Sequence, residues 1–273
     1  MMGIPQSAAA LFLTLAKVIC ALVLHELAHI FAVNYLGGRV QKVGVFPLGL
    51  GARFTGLERL CAWERYAIYA AGCAANALAA GWAFAVSRIS YVGVPWLEAF
   101  AFYNMALCLF NLTPALPLDG GRMAHQFLSN RMGMRPAGRV LVWLGAYIGA
   151  ALMVLGLVQV VLYGYNITLL CAGLYVRRKN RTLQPQLEAD FFKMLAAKKR
   201  RTAWRRIKVK LVTVHPAMPL RQAMDRLTMD DVTMFWLAEE NRPVTEAALV
   251  CHVLAYGQRG VIGDLPHGNR SWE

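Results

Sequence analysis

The stretch Leu22-Val23-Leu24-His25-Glu26-Leu27-Ala28-His29-Ile30-Phe31 places two histidines and a carboxylate inside an otherwise apolar run. Around it, Ser7 to Tyr35 is apolar apart from Lys17, His25, Glu26, His29 and Asn34. At about 1.5 Å per residue, a helix of that length exceeds the roughly 30 Å of a bilayer's hydrocarbon core. An ionisable side chain near the middle of a span costs roughly 2.5–3.5 kcal/mol, so three within five residues require compensation. The histidines are four apart and share one helix face, where they can offer two imidazoles to one tetrahedral metal with Glu26 beside them to polarise a bound water. A proton relay or ion pathway in a transporter is the alternative that the same cluster admits.

The whole chain agrees with a membrane setting. It is 58% hydrophobic and only 16% charged, with a mean hydropathy of +0.42, whereas a soluble domain carries about a quarter charged residues. The net charge of +14 is local: Arg177 to Lys210 holds 13 Lys or Arg against 2 acidic residues. Beside a membrane segment such a run is a cytoplasmic flank drawn to anionic lipid, which is a simpler reading than direct nucleic-acid binding. The six cysteines are scattered and form no C-x-x-C pair, so neither a disulfide framework nor a cysteine metal site is expected. Lys17 within the first apolar segment, and the absence of a basic leader before it, make that segment a retained anchor in place of a cleaved signal.

These patterns predict a polytopic α-helical membrane protein with a small cytoplasmic α/β domain. The spans expected are Ser7–Tyr35, Tyr66–Val86, Trp96 to about Pro114, and two within Val140–Val176 that turn between Gln159 and Asn166. The glycine-rich, basic stretch from Gly37 to Arg65, β-prone over Val43–Leu48, reads as a strand-rich cytoplasmic loop. The arginines at 122, 131, 135 and 139 lie on the same side, which puts the C-terminus in the cytoplasm. The domains expected are a membrane domain over 1–176, a basic linker over 177–208 and a tail domain over 209–273.

A catalytic zinc takes three protein ligands. Of the five acidic residues before Arg177, Glu58 and Glu64 lie in the basic loop and Glu98 near the outer surface. Excluding Glu26, that leaves Asp119. It follows Asn111-Leu112-Thr113-Pro114-Ala115-Leu116-Pro117-Leu118 and precedes Gly120-Gly121, where prolines interrupt helical hydrogen bonding and glycines permit unusual backbone. Broken backbone at membrane depth is tolerated where it lines a cavity. Taken alone, Asp119 as a helix cap is nearly as good a reading. His125, six residues on, is expected to be an exposed histidine, as are His215, His252 and His267.

The H-E-x-x-H of His25 to His29, joined to the N-x-x-P-x-x-P-L-D-G-G of Asn111 to Gly121, resembles the site-2 protease family of intramembrane metalloproteases, of peptidase M50 type. The resemblance implies one Zn2+ held by His25, His29 and Asp119, Glu26 as general base, and hydrolysis of a peptide bond within or beside the membrane. Ala71-Gly72-Cys73-Ala74-Ala75-Asn76 is similar to the family's G-P-x-x-N element, with Cys73 in place of the proline. Asn76, Asn111, Pro114 and Pro117 are therefore candidate substrate contacts, and helix packing by the small residues is the competing account for the Asn76 segment.

The interval from His29 to Asp119 leaves no room for an inserted PDZ domain. In order and spacing, the core and the tail resemble the sporulation branch of the family, with Leu211 to Pro216, Leu220 to Leu227, Met234 to Ala238 and Val244 to Ala255 similar to half of a CBS-domain pair. That resemblance implies a substrate that is the precursor of sporulation sigma factor K, membrane inhibitor partners, the mother-cell membrane around the forespore, and ATP sensing through the tail. Two features depart from the branch: only 24 residues precede His25, where a further, sixth span is usual, and Ala248 stands where the tail's acidic residue is usual. A lone CBS-like half also implies association between chains. An anti-sigma factor or a spent signal peptide as substrate, or a zinc-binding scaffold or transporter that cleaves nothing, remain the alternatives.

Overall fold

The computed structural model describes residues 6–46, 49–89, 95–163, 167–202 and 208–265. The first helix, α1, runs Gln6–Tyr35, close to the span read from the sequence, because nothing in that apolar run breaks a helix before Gly37. Gly37 takes a left-handed φ of 84°, the conformation glycine adopts at no steric cost. The chain then forms an antiparallel hairpin, β1 (Arg39–Phe46) and β2 (Gly49–Thr55). This is the strand-rich loop expected there.

Helix α2 (Ala62–Ile89) returns beside α1, and α3 (Pro95–Asn111) packs on both. Val33, Leu60 and Ile68 form one buried apolar cluster, and Ala83, Leu97 and Ala101 another. After a turn over 112–118 come α4 (Asp119–Met132), α5 (Met134–Tyr163) and α6 (Thr168–Asn180). Helices α5 and α6 approach through glycine: a Cβ on Gly156 would lie 2.4 Å from Leu170 N, and one on Gly173 2.7 Å from Gly149 O. Such close backbone approach through small residues is a membrane-helix device.

Among the described residues, three helical stretches are long and apolar enough to cross a bilayer: Phe12–Tyr35, Ala62–Ile89 and Met134–Leu162. Their outer faces expose large apolar side chains, among them Phe31, Trp82 and Val161, which is the surface of an integral membrane protein. The third and fifth expected spans are shorter: α3 has 17 residues and α6 has 13, against the roughly 20 that a helix needs to cross. Pro114 and the polar run Arg177–Asn180 end their apolar patterns early.

The chain divides into two compact units, residues 1–123 with 147–177, and residues 124–146 with 178–273. One cut falls between 177 and 178, beside the boundary expected near 176; the others pass through α4 and α5, so that residues 124–146 group with the tail. In the second unit, the segment expected as a basic linker contains helix α7 (Leu183–Thr202), whose Phe191, Met194 and Leu195 join the core of the tail. Its charges lie along a helix with an apolar face, a periodicity that counting charge alone conceals. The tail adds β3 (Val209–Val214), α8 (Leu220–Asp225), β4 (Val232–Leu237), β5 (Arg242–Thr245) and α9 (Glu246–Tyr256). Strand β3 pairs in parallel with β4, and β4 antiparallel with β5. The α4–α5 corner docks on this domain: Gly133 turns with φ 98°, Met134 N donates to Leu227 O, and the Asn130 side chain donates from Nδ2 to Asp230 Oδ2 and accepts at Oδ1 from Asp230 N.

Candidate metal centre

The first unit brings together the residues on which the sequence reading turned. His25 and His29 lie on one face of α1, and Asp119 opens α4. All three are at least 95% buried. His25 Nε2 is 3.1 Å from Asp119 Oδ2, His29 Nε2 is 3.0 Å from the same oxygen, and the two Nε2 atoms are 3.1 Å apart. The rings meet edge to face, with centroids 4.7 Å apart.

The partners of the other ring nitrogens fix what this triangle contains. His29 Nδ1 is 2.7 Å from the carbonyl oxygen of Ile68, which only accepts, so Nδ1 carries the proton. His25 Nδ1 is 2.9 Å from Asn76 Oδ1, while Asn76 Nδ2 donates to Ala21 O and to Asn104 Oδ1. The Asn76 oxygen therefore accepts from His25. In the neutral tautomers both Nε2 atoms present lone pairs, and they converge with a carboxylate oxygen in a dry interior. Three acceptors in mutual contact fit around a cation. In a tetrahedral zinc site with bonds of about 2.0–2.1 Å, ligand atoms stand about 3.3 Å apart, close to the edges seen here. Among the described residues this is the single group of three side chains able to hold a metal ion.

Helix α2 builds the other wall at a period of four. Ile68 anchors His29, Asn76 anchors His25, and Gly72 lies between them. A Cβ on Gly72 would stand 2.5 Å from His29 Nε2 and 2.7 Å from His25 Nε2. The glycine thus admits both imidazoles against the helix backbone. Phe54 of the hairpin, its ring centroid 6.4 Å from that of His29, lies on the hairpin side.

The turn before Asp119 needs its glycines. A Cβ on Gly120 would lie 2.1 Å from Leu112 O, and one on Gly121 2.4 Å from Ala115 C. Only glycine lets the start of α4 fold back so tightly on 112–116, and this fixes where Asp119 points. The Leu116–Pro117 bond is cis. Asp119 Oδ1 faces Arg122 Nη1 at 3.6 Å, which leaves Oδ2 to the histidines. Asp119 is in the first turn of its helix, where the capping alternative put it, and its Oδ2 faces the two histidines. Glu26, half-buried, is within electrostatic reach of His29, His25, Asp119 and Arg122.

Other expectations fare differently. Asn76, read as a substrate contact, is fully buried with its amide occupied by His25, Ala21 and Asn104, so it is an anchor for a histidine. Asn104, unremarked in the sequence, completes that chain by donating to Phe100 O. Asn111 Nδ2 donates to Leu107 O in its own helix. Pro114 is exposed and Pro117 half-buried in the turn. His125 is half-buried, not exposed; its Nε2 donates to Met134 O. Burial lowers its pKa, against the pull of that carbonyl and of Asp190. His215 is exposed beside Glu239, and His252 is half-buried against Tyr256. His267 lies outside the described residues.

A sequence model described as Peptidase family M50 matches residues 92–156, which include Asn111 to Gly121. Among curated proteins, a zinc metalloprotease of Methanocaldococcus jannaschii is 27% identical over 159 residues, covering 57% of this chain and 44% of that protein. Stage IV sporulation protein FB of Bacillus subtilis is 26% identical over 117 residues, 43% of this chain and 41% of that one. Rip3 of Mycobacterium tuberculosis is 32% identical over 156 residues, 50% and 38%. The chain spans less than half the length of each of these three relatives. Among solved structures, the site-2 protease from Methanocaldococcus jannaschii superimposes with a TM-score of 0.52 at 23% identity, covering 62% of this chain and 76% of that one. The fold is that of a site-2 protease, and the sequence comparisons support peptidase family M50.

Proposed function

We propose that this chain is an intramembrane zinc metalloprotease that hydrolyses a peptide bond of a membrane-associated protein. One observation carries the reading: two neutral imidazoles and a carboxylate oxygen, each oriented by a fixed partner, converge to 3.0–3.1 Å beside a glutamate on a helix otherwise suited to lipid. His25, His29 and Asp119 would hold zinc there, which would supply a Lewis acid for the scissile carbonyl and a lowered pKa, about 7, for a water. Glu26 takes a proton from the attacking water and passes it to the leaving amine nitrogen. Asn76 and the Ile68 carbonyl hold the imidazoles in the tautomer that leaves Nε2 free, and Arg122 steadies the far oxygen of Asp119.

Within that class we read the substrate as a precursor such as that of sporulation sigma factor K. The likeness to stage IV sporulation protein FB and the β-α-β-β-α order of the tail favour this branch over one acting on an anti-sigma factor or a signal peptide. On this reading the C-terminus is cytoplasmic, the membrane is the mother cell's, and inhibitor proteins and a second copy of the chain are its partners. The tail is read as one CBS-like half, and with Ala248 at its acidic position ATP binding is not included. The test is co-expression with candidate precursors, with mass spectrometry of the new terminus. Cleavage by the wild type that is lost in Glu26→Gln, with expression and zinc retained, is the expected result. Zinc binding with no cleavage of any membrane protein offered would favour a scaffold or transporter.

A further inference from the structure

The second unit contains a cleft of about 310 Å3 lined by Arg135, Arg139, Arg221 and Arg259 with Glu188 and Asp225. Four guanidinium groups face two carboxylates, an excess of two positive charges in a concavity at the small end of the roughly 300–1,000 Å3 typical of ligand sites.

The four arginines are not equivalent. Arg135, in the first turn of α5, has a side chain only 6% exposed. It is held from three sides: stacked 4.6 Å over the Phe191 ring, paired with Glu188 Oε2 at 2.9 Å, and donating to Gln258 Oε1 at 3.4 Å. Its Nε is buried without a hydrogen-bond acceptor among the described residues. Arg139, one turn on, pairs with Asp225 at 2.8 Å. Arg221 and Arg259 are exposed and take no carboxylate partner among the described residues.

Two guanidiniums with no carboxylate partner among the described residues, on a cleft that Arg135 and Arg139 also line, call for an anion with several acceptor oxygens. The planar arginine fork matches phosphate in two-point contact. A chloride would leave most of those donors unused, and a carboxylate offers only two oxygens. Arg135 and Arg139 also stand at the polar end of the apolar stretch Met134–Leu162, the level at which phospholipid headgroups lie.

We infer that this cleft binds a phosphate group, carried either by an anionic phospholipid headgroup or by a free phosphate anion. The inference does not depend on the metal centre.

The experiment uses the full chain, once in neutral detergent titrated with inorganic phosphate by calorimetry, and once with vesicles of phosphatidylcholine with or without 30% phosphatidylglycerol. The variant is Arg221→Ala/Arg259→Ala, which removes exposed, unpaired side chains and leaves the buried Arg135 in place. Arg178→Ala/Arg181→Ala, with the same loss of charge on exposed residues outside the cleft, is the control. Saturable binding of inorganic phosphate that weakens at least tenfold in the cleft variant and less than threefold in the control identifies a free phosphate. The same pattern confined to phosphatidylglycerol vesicles identifies a headgroup. Binding of neither probe by the wild type, or an equal loss in both variants, overturns the inference.

Discussion

Gly72→Ala adds one methyl group at the point where α2 meets both imidazoles. The new Cβ would stand 2.5 Å from His29 Nε2 and 2.6 Å from His25 Cε1, where ordinary contact begins at 3.4 Å. Rings and helix must therefore separate by about 0.9 Å. Metal–ligand distances in a working site hold to about 0.2 Å, and Ile68 and Asn76 tether the rings to the same helix, so they cannot retreat without breaking those hydrogen bonds. The expected loss in zinc affinity is at least the 10- to 100-fold that follows removal of an orienting partner, with cleavage falling in step. Gly81→Ala is the matched control: it lies on the same helix with nothing within 4 Å of its added Cβ. Alanine is the better helix former by roughly 0.5–1 kcal/mol, so neither change weakens α2 itself. Competition with a chelator gives the affinity of each variant, and thermal melting reports the fold. If Gly72→Ala binds zinc within threefold of wild type, the account of the α2 wall is wrong.

Glu26→Gln should leave zinc content unchanged while cleavage of a membrane reporter falls about 10²- to 10⁴-fold, the usual contribution of a general base. Asn76→Ala frees His25 Nδ1 and should weaken zinc binding about 10- to 100-fold, measured by chelator competition; Asn104→Leu, one bond further out, should act in the same direction and less. His125 gives a pH dependence. Its folded pKa is lowered by burial, so the unfolded chain takes up its proton first. Its contribution to stability is present above the unfolded value of about 6.5 and is lost as pH falls below it toward the folded value. Melting temperatures between pH 8 and 5 should therefore fall less steeply in His125→Gln than in wild type, and identical slopes would remove His125 from the account.

The membrane helices and the two histidines that converge with Asp119 were legible because they rest on strong local signals: long apolar runs, and charged groups that lipid does not tolerate unpaired. Asp119 could be found by elimination, since an apolar chain offers few carboxylates. The rest of the centre depends on contacts distant in sequence. Nothing local distinguishes Gly72 from the small residues around it until α2 is laid against α1. Asn76 looked like a group aimed at substrate because its partner His25 lies 51 residues away. Asn104 carried no signal beyond being polar in an apolar run. In the tail, the strands and helices followed their propensities, but the α4–α5 corner joins that unit through Gly133, Asn130 and Arg135, and α7 hides an apolar face beneath its charge. Span limits were the least legible feature, since hydropathy continues where Pro114 ends helical geometry.

The most direct test of the central claim is zinc content, measured by inductively coupled plasma mass spectrometry on purified wild type, Glu26→Gln and Asp119→Ala. Close to one zinc per chain is expected in the first two, from the single three-ligand group among the described residues, and almost none in the third. A wild type that carries no zinc when prepared with the metal present, or an Asp119→Ala variant that retains it fully, would contradict that claim.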